Sequence, residues 1–393
     1  MKQHVRTIPF EPTRINALLG TSFSEDVMMS TLARLGIRIE QGVATIPPHR
    51  VDMAYSADLA EEIIRLNGFE AIQPTPFVSQ IRAGGLTHEQ EKRQRIKDHL
   101  RHLGLFESLT YSLVNAAEQA SLNLLSSRSH YTIKNPLSDE RQDVRSHGLA
   151  SLLDVALYNA SRQTYDASFF EWSGMASPQG DREELNVVLM GHHVRRAGLH
   201  ETAYSFYHGK GLVESMLTLL SIDSTRTQWV REDSRPDILH PGRSAALLLQ
   251  GEKVGVVAEL SPIIRDKKGF GKTPVVVIQL DMTSLLAVKT SSLRLTPLPK
   301  YPSVSRDLAF VVETRIPFAD IVKTIRKTGK SHVQSVDVFD LYQGEHVPTG
   351  FQSMAIRIKL LDPTKTLLDA EIQALMDTIK TQLIKDHHVE FRA

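Results

Sequence analysis

Apolar and polar positions follow three regimes along this chain. In the first, up to about residue 79, "PTRINALLG" predicts a short helix that starts at Thr13 and stops at Gly20. "SEDVMMSTLARLG" predicts a second helix, with Ser24 as cap, Val27, Leu32 and Leu35 as its apolar stripe and Gly36 as its stop. "IRIEQGVATIPP" reads as a hairpin with Gly42 in the turn. "ADLAEEIIRLNG" predicts a third helix with Leu59, Ile63 and Leu66 at core spacing and Gly68 at its end; Pro74 and Pro76 close the segment.

The second regime, 80–290, opens on "LTHEQEKRQRIKDHLRHLG". Thr87 and Gln90 have capping-box spacing, and Ile96, Leu100 and Leu103 form a sparse seam on a strongly charged helix. "FESLTYSLV", "SFFEWSG", "LNVVLMGHHV", "SAALLLQG", "KVGVVAEL" and "PVVVIQLD" read as strands, and "LASLLDVALYNASRQ" and "GKGLVESMLTLLS" as helices. Many strands with few strand–helix–strand spacings predict an α+β domain on a mainly antiparallel sheet. The third regime, 294–393, follows the Pro- and Ser-rich connector "SSLRLTPLPKYPSVSRD". "LAFVVE", "FADIVKTIRKTG", "VQSVDVFDLY", "FQSMAIRIKLL", "LLDAEIQALMDTIKTQLIK" and "HVEFR" give β-α-β-β-α-β, the ferredoxin-like order.

The chain has 393 residues, enough for two to four domains of roughly 100–200 residues each. A hydrophobic share of 41% and a net charge of +1 describe an ordinary globular protein without a global field for nucleic acid, and no DNA partner is expected. There is no cysteine, which removes disulfides, thiolate nucleophiles and Cys-ligated metals. No apolar run approaches the ~18 residues of a membrane span, and "MKQHVRTIPFEPTR" has no apolar signal core, so a cytoplasmic protein without a membrane partner is expected.

One stretch stands out chemically. "HRVDMAYSADLAEEIIRLNG" carries Asp52, Asp58, Glu61 and Glu62, with only Arg50 and Arg65 nearby to balance them. Asp58, Glu61 and Glu62 sit at i, i+3 and i+4 of one helix, and Asp52 lies on the turn leading in. Two readings stay open from spacing alone. Acids favour a helix start through the macrodipole. Alternatively, a few carboxylates suffice for Mg²⁺, which takes oxygen ligands and keeps several waters.

The stretch "PPHRVDMAYSADLAEEIIRLNGFEAI" resembles the acidic-helix domain of the bacterial phenylalanyl-tRNA synthetase beta-subunit family. That resemblance implies that Asp52, Asp58, Glu61 and Glu62 are magnesium ligands; His49 departs from the usual tryptophan. The likeness runs from about residue 8 to the end, through "YTIKNPLSDERQDVRSHGLASLL" with Arg145, "FFEWSG", "LHPGRSAALLLQGEKVGVVAELSP", "KYPSVSRDLAFVV" and "DVFDLYQGEHVPTGFQSMAIRIKLLDPTKTLLDAEI". It implies a small magnesium-binding domain (1–79), a class II synthetase-like core (80–290) and a ferredoxin-fold anticodon-binding domain (294–393). It also implies an alpha partner in an alpha2beta2 heterotetramer, and tRNA(Phe). The family's beta subunits carry an OB-fold tRNA-binding module and an editing domain ahead of this region. Here Met1 falls almost directly before the acidic-helix domain, which suggests a cut piece or a short relative, so no editing residue is carried over.

Catalytic class II cores hold ATP with an Arg followed shortly by Glu on one strand and a later Arg after a Gly-rich strand. "FFEWSG" offers Glu171 without an Arg, and Arg243 precedes its expected strand. The core is therefore expected to be a non-catalytic copy. For tRNA, Arg357 and Lys359 point away from the apolar face of "SMAIRIKLL", with Lys300, Arg306 and Tyr342 as further candidates at strand ends. Lys323, Arg326, Lys327 and Lys330 gather at one helix end, where cations also suit the dipole. The pairs His192–His193 and His387–His388 are poorly spaced for chelation on strands. Two competing readings are a free-standing RNA-binding or regulatory relative and an independent Mg²⁺-dependent enzyme; the missing arginines argue against the second.

Overall fold

The computed structural model describes residues 5–80, 83–115, 117, 122–125, 128–194, 201–289 and 298–391. The chain divides into two compact units, Met1–Thr87 and His88–Ala393.

In the first unit, strand β1 (Arg6–Pro9) is followed by helices α1 (Pro12–Leu19) and α2 (Glu25–Ala33). Strands β2 (Arg38–Glu40) and β3 (Val43–Ile46) and helix α3 (Ser56–Asn67) come next. The antiparallel sheet has the order β1-β3-β2. The β2–β3 turn has positive φ at both Gln41 (48°) and Gly42 (74°), the backbone that twists with a two-residue hairpin. Ser24 caps α2 as expected, its hydroxyl accepting from the Val27 amide. The stripe of α2 differs from expectation. Met28, Thr31 and Leu32 face inward, and Val27 lies exposed where the chain enters the helix. Leu59 and Ile63 of α3 join Ile8, Ile15 and Met28 in the core; Leu66 is half-buried.

The second unit begins with α4 (His88–His102), whose Ile96 and Leu100 are buried while Leu103 is exposed. The expected strand "FESLTYSLV" is broken into β4 (Phe106–Glu107) and β5 (Leu113–Val114), which belong to different sheets. β5 pairs with β6 (Asp143–Val144). Then follow α5 (Leu149–Ala160), β7 (Ala167–Met175), β8 (Arg182–Met190), the small ribbon β9 (His192–Val194) and β10 (Thr202–Ala203), and α6 (Phe206–Leu219). β11 (Thr227–Arg231), β12 (Leu239–Leu249), β13 (Glu252–Leu260), α7 (Pro262–Lys268), β14 (Val275–Asp281) and α8 (Met282–Ala287) complete this part.

Seven strands make one sheet in the order β11-β12-β13-β14-β8-β7-β4. All neighbours are antiparallel except β4 with β7. Alternation sends Phe170, Trp172, Leu185 and Ile278 to one face, beneath α4 and α6. Phe169, Val188, Val256 and Val277 go to the other, beneath α5. Both faces are covered, so "PVVVIQLD" reads as a continuous apolar run rather than an alternating one.

The last part is β15 (Val304–Glu313), α9 (Phe318–Gly329), β16 (Val333–Tyr342), β17 (Phe351–Leu360), α10 (Asp369–His387) and β18 (Glu390–Phe391). Its sheet order, β16-β17-β15-β18, is the ferredoxin-like one, as the sequence order predicts. Phe310, Ile356, Ile321 and Ile379 close a core between sheet and helices.

Candidate functional site

The four acids of the first unit are not gathered on one point. Nη2 of Arg50 donates to Asp52 Oδ2 at 2.6 Å and to Glu62 Oε1 at 2.7 Å, while its Nε reaches Asp52 Oδ1 at 3.1 Å. Arg65, one turn further along α3, holds the other oxygen of Glu62. Asp58 turns back instead: its Oδ2 accepts the amides of Ala54 (2.6 Å) and Tyr55 (2.7 Å), closing the first turn of α3. Glu61 is exposed, whereas Glu62 is buried, with 5% of its surface exposed, so the expected three-acid face is split by burial. The Asp52 loop is pinned by Arg6, whose Nη1 donates to the carbonyls of Val51 (3.1 Å) and Met53 (2.7 Å). Burial alone would push the Glu62 carboxyl up, but hydrogen bonds from Arg50 and Arg65 outweigh it and hold it below the usual range. The Arg50 hydrogen bond lowers Asp52 in the same direction.

Among the described residues no group of three or more His, Asp or Glu side chains lies together as a metal site. The donor chemistry nevertheless fits Mg²⁺ in part. Asp52 and Glu62 are oxygen donors that already converge on one cation, the guanidinium of Arg50.

A second polar constellation lies inside the seven-stranded sheet. Glu171 on β7, Asn186 on β8 and Gln279 on β14 are direct cross-strand neighbours and form a buried polar row. Arg145 Nη2 donates to Glu171 Oε1 at 2.9 Å and its Nη1 to Oε2 at 3.2 Å; Thr110 Oγ1 donates to the same oxygen at 2.8 Å. Arg182 pairs with Glu184 two residues along β8. Glu184 Oε2 also accepts from Gln279 Nε2 at 3.1 Å and from the Gly148 amide, at the start of α5, at 3.3 Å. Burial pushes the Glu184 carboxyl up, against the pull of Arg182. Arg243 lies within β12, where the ladder is irregular, rather than ahead of it, and donates to Glu259 Oε2 at 2.9 Å.

On the ferredoxin-like sheet, register puts Tyr342, Arg357 and Lys359 on the face away from the helices. Arg357 is already engaged. Its Nε and Nη2 grip Asp307 at 2.8 and 2.7 Å, and its guanidinium lies 5.1 Å over the Phe339 ring. Arg306 is one residue from Asp307, hence on the opposite side, where it reaches Asp369 at 3.2 Å. Lys300 is exposed on the lead-in to β15. Lys323, Arg326, Lys327 and Lys330 lie exposed around the end of α9. Of the histidine pairs, His192 binds Asp166 through Nδ1 (3.0 Å) and His387 meets Thr324 Oγ1 (2.8 Å).

The family model described as the phenylalanyl tRNA synthetase beta chain CLM domain matches residues 72–282, more than half of the chain. The chain belongs to the phenylalanyl-tRNA synthetase beta-chain family. Two further models of that architecture match, the tRNA synthetase B5 domain at 8–69 and the ferredoxin-fold anticodon binding domain at 299–392. Curated relatives include the phenylalanine–tRNA ligase beta subunits of Geobacillus kaustophilus and Bacillus licheniformis. They are 31% and 34% identical over 93% of this chain and 46% of each relative. That of Staphylococcus aureus is 32% identical over 97% of this chain and 48% of the relative. The chain thus spans about half the length of the curated relatives it matches. A pyrrolysyl tRNA synthetase of Desulfitobacterium hafniense matches at a TM-score of 0.39 and 13% identity over 68% of this chain and 90% of that one, too slight a likeness to argue from.

Each constellation falls in a matched stretch of the synthetase beta-chain family: the acids in B5, Arg145 and Glu171 in CLM, Arg357 and Tyr342 in the anticodon-binding fold. Sequence reasoning missed Arg6, Arg182 with Glu184, and Phe339 with Asp307. Of these, Arg182 and Glu184 carry a signal: two opposite charges two apart, on the same face of a strand that continues into the apolar run Val187–Met190.

Proposed function

We propose that this chain is the assembly and tRNA-positioning part of a phenylalanine–tRNA ligase beta subunit, with the chemistry done by an alpha partner. One observation carries the reading. Two arginines buried in the core, Arg145 and Arg182, are each matched to a buried carboxylate of the same core, Glu171 and Glu184. Adenylate formation needs cations free to take up phosphate charge. Each guanidinium is already matched in charge by its carboxylate, and the sheet is covered on both faces. The chain would then support ATP-dependent attachment of phenylalanine to tRNA(Phe) only by assembling with the alpha subunit, as alpha2beta2, in the cytoplasm. Among the described residues no helix is long and apolar enough to cross a membrane.

Exposed Phe106, Leu109 and Tyr111 follow α4 at the β4 edge of the sheet, an apolar and aromatic strip suited to a protein partner. For tRNA, Tyr342, Phe339, Arg357 and Lys359 offer a stacking and basic surface, with Lys300 at its approach. Mg²⁺ would be held by Asp52 and Glu62, with Asp58 and Glu61 completing the acidic set. Bound there, it would tie the Asp52 loop to α3, a structural role. Co-expression with the alpha chain of the same organism, followed by sizing, tests the assembly. A heteromer is expected, and a chain that elutes alone would favour the free-standing RNA-binding alternative.

A further inference from the structure

Carboxylates crowded on one helix need a cation, and this unit supplies one from its own chain. A single nitrogen, Arg50 Nη2, touches both Asp52 at 2.6 Å and Glu62 at 2.7 Å. Glu62 is 5% exposed, and a buried carboxylate without a positive partner is strongly disfavoured. Its second oxygen is held by Arg65, so two acids and two arginines cancel in charge. Arg50 is itself placed from behind: its amide bonds the Pro47 carbonyl at 3.0 Å, and Arg6 fixes the carbonyls on either side of Asp52. Asp58 Oδ2 already accepts two backbone amides at this helix start.

We propose that Arg50 is the resident cation of this cluster and gates the metal. Mg²⁺ enters only by displacing the guanidinium from Asp52 and Glu62, so the unit folds without a divalent ion and binds one weakly. The inference rests on reading these acids as a magnesium site. The competition is unfavourable to the ion for two reasons. A planar guanidinium with several charge-assisted hydrogen bonds is a strong occupant. Mg²⁺ sheds its waters reluctantly, and must do so to reach carboxylates that Arg50 already bridges.

The test uses the full chain in EDTA and in millimolar MgCl2, by thermal unfolding and by calorimetric titration with MgCl2, comparing wild type with Arg50→Gln and Arg50→Lys. The wild type should unfold at the same temperature with EDTA as without, and gain little from Mg²⁺. Arg50→Gln should melt earlier in EDTA, recover most of the loss in Mg²⁺, and bind the ion about tenfold more tightly or better than wild type. Arg50→Lys keeps the charge without the fork and should lie between them, which covers the case in which Arg50→Gln does not fold. Equal Mg²⁺ affinity in all three overturns the gate and leaves the metal reading standing. No Mg²⁺ binding to any of them, with Arg50→Gln still destabilised, overturns the metal reading and the gate with it. A wild type that unfolds on adding EDTA also contradicts the proposal.

Discussion

Arg145 and Glu171 face each other inside the seven-stranded core, Nη2 to Oε1 at 2.9 Å, with both side chains almost wholly buried. They are 26 positions apart, and Thr110 bonds both of them. An Arg–carboxylate pair of this kind holds the segment before α5 against the β7 strand. It also neutralises Glu171, a member of the buried polar row of the sheet.

Breaking the pair from one side should be costly, because it leaves the other charge buried. Glu171→Gln or Arg145→Met should lower stability by about 3–5 kcal/mol, measured by denaturant unfolding of the second unit's transition. The double variant Arg145→Met/Glu171→Leu should recover much of that loss. Single variants within about 0.5 kcal/mol of wild type would mean that the pair is not held as described.

A pH effect is expected at the start of α6. His208 Nδ1 accepts the Ser205 amide at 3.1 Å, so its proton is on Nε2 and the ring is neutral. Burial, then the neighbouring His193 ring 5.4 Å away, lowers its pKa. Tyr204 also packs against this ring, and Glu259 accepts the Phe206 amide beside it. The folded-state pKa is depressed, so the stabilisation is complete above the unfolded value of about 6.5 and is lost as pH falls below it. Melting temperature should drop from pH 7 towards pH 5, and His208→Asn should flatten that slope. An equal slope in the variant would remove His208 as the cause.

Much of the ferredoxin-like part is legible in the sequence because β15 and β17 keep one face on the helices. Met354, Ile356, Ile358 and Leu360 alternate with residues that stay outside. The larger sheet is less legible: β8 and β14 are buried on both faces and lose the period of two. The candidate sites are legible as residues but not as partnerships. Spacing along α3 marks Asp58, Glu61 and Glu62. It says nothing of Arg50, which reaches Glu62 from 12 positions earlier once Met53 is buried in the core. Arg145 and Glu171 are each readable, yet their pairing is a product of tertiary folding. The same holds for Arg357, whose position on the open sheet face is readable, while its engagement by Asp307 is not.

That engagement shapes the expected RNA contact. With Arg357 matched by Asp307, stacking should contribute more than phosphate contact on this face. Phe339→Ala and Tyr342→Ala should each weaken tRNA binding by about 1–3 kcal/mol in filter-binding measurements. Arg357→Ala with Lys359→Ala should weaken binding less at high salt than at low salt, and flatten the salt dependence. Unchanged affinity in all of these variants would show that tRNA uses another surface.

A chain without an adenylate-forming site of its own should be silent in ATP–pyrophosphate exchange with phenylalanine. The measurement is run with this chain alone, the alpha chain alone and both together. Adenylate formation needs a pocket that places ATP against the amino-acid carboxylate and cations that meet the phosphates. Here Arg145 and Arg182 are held by Glu171 and Glu184. Exchange is expected only when the alpha chain is present. Exchange above background by this chain alone would mean that it holds an adenylate-forming site.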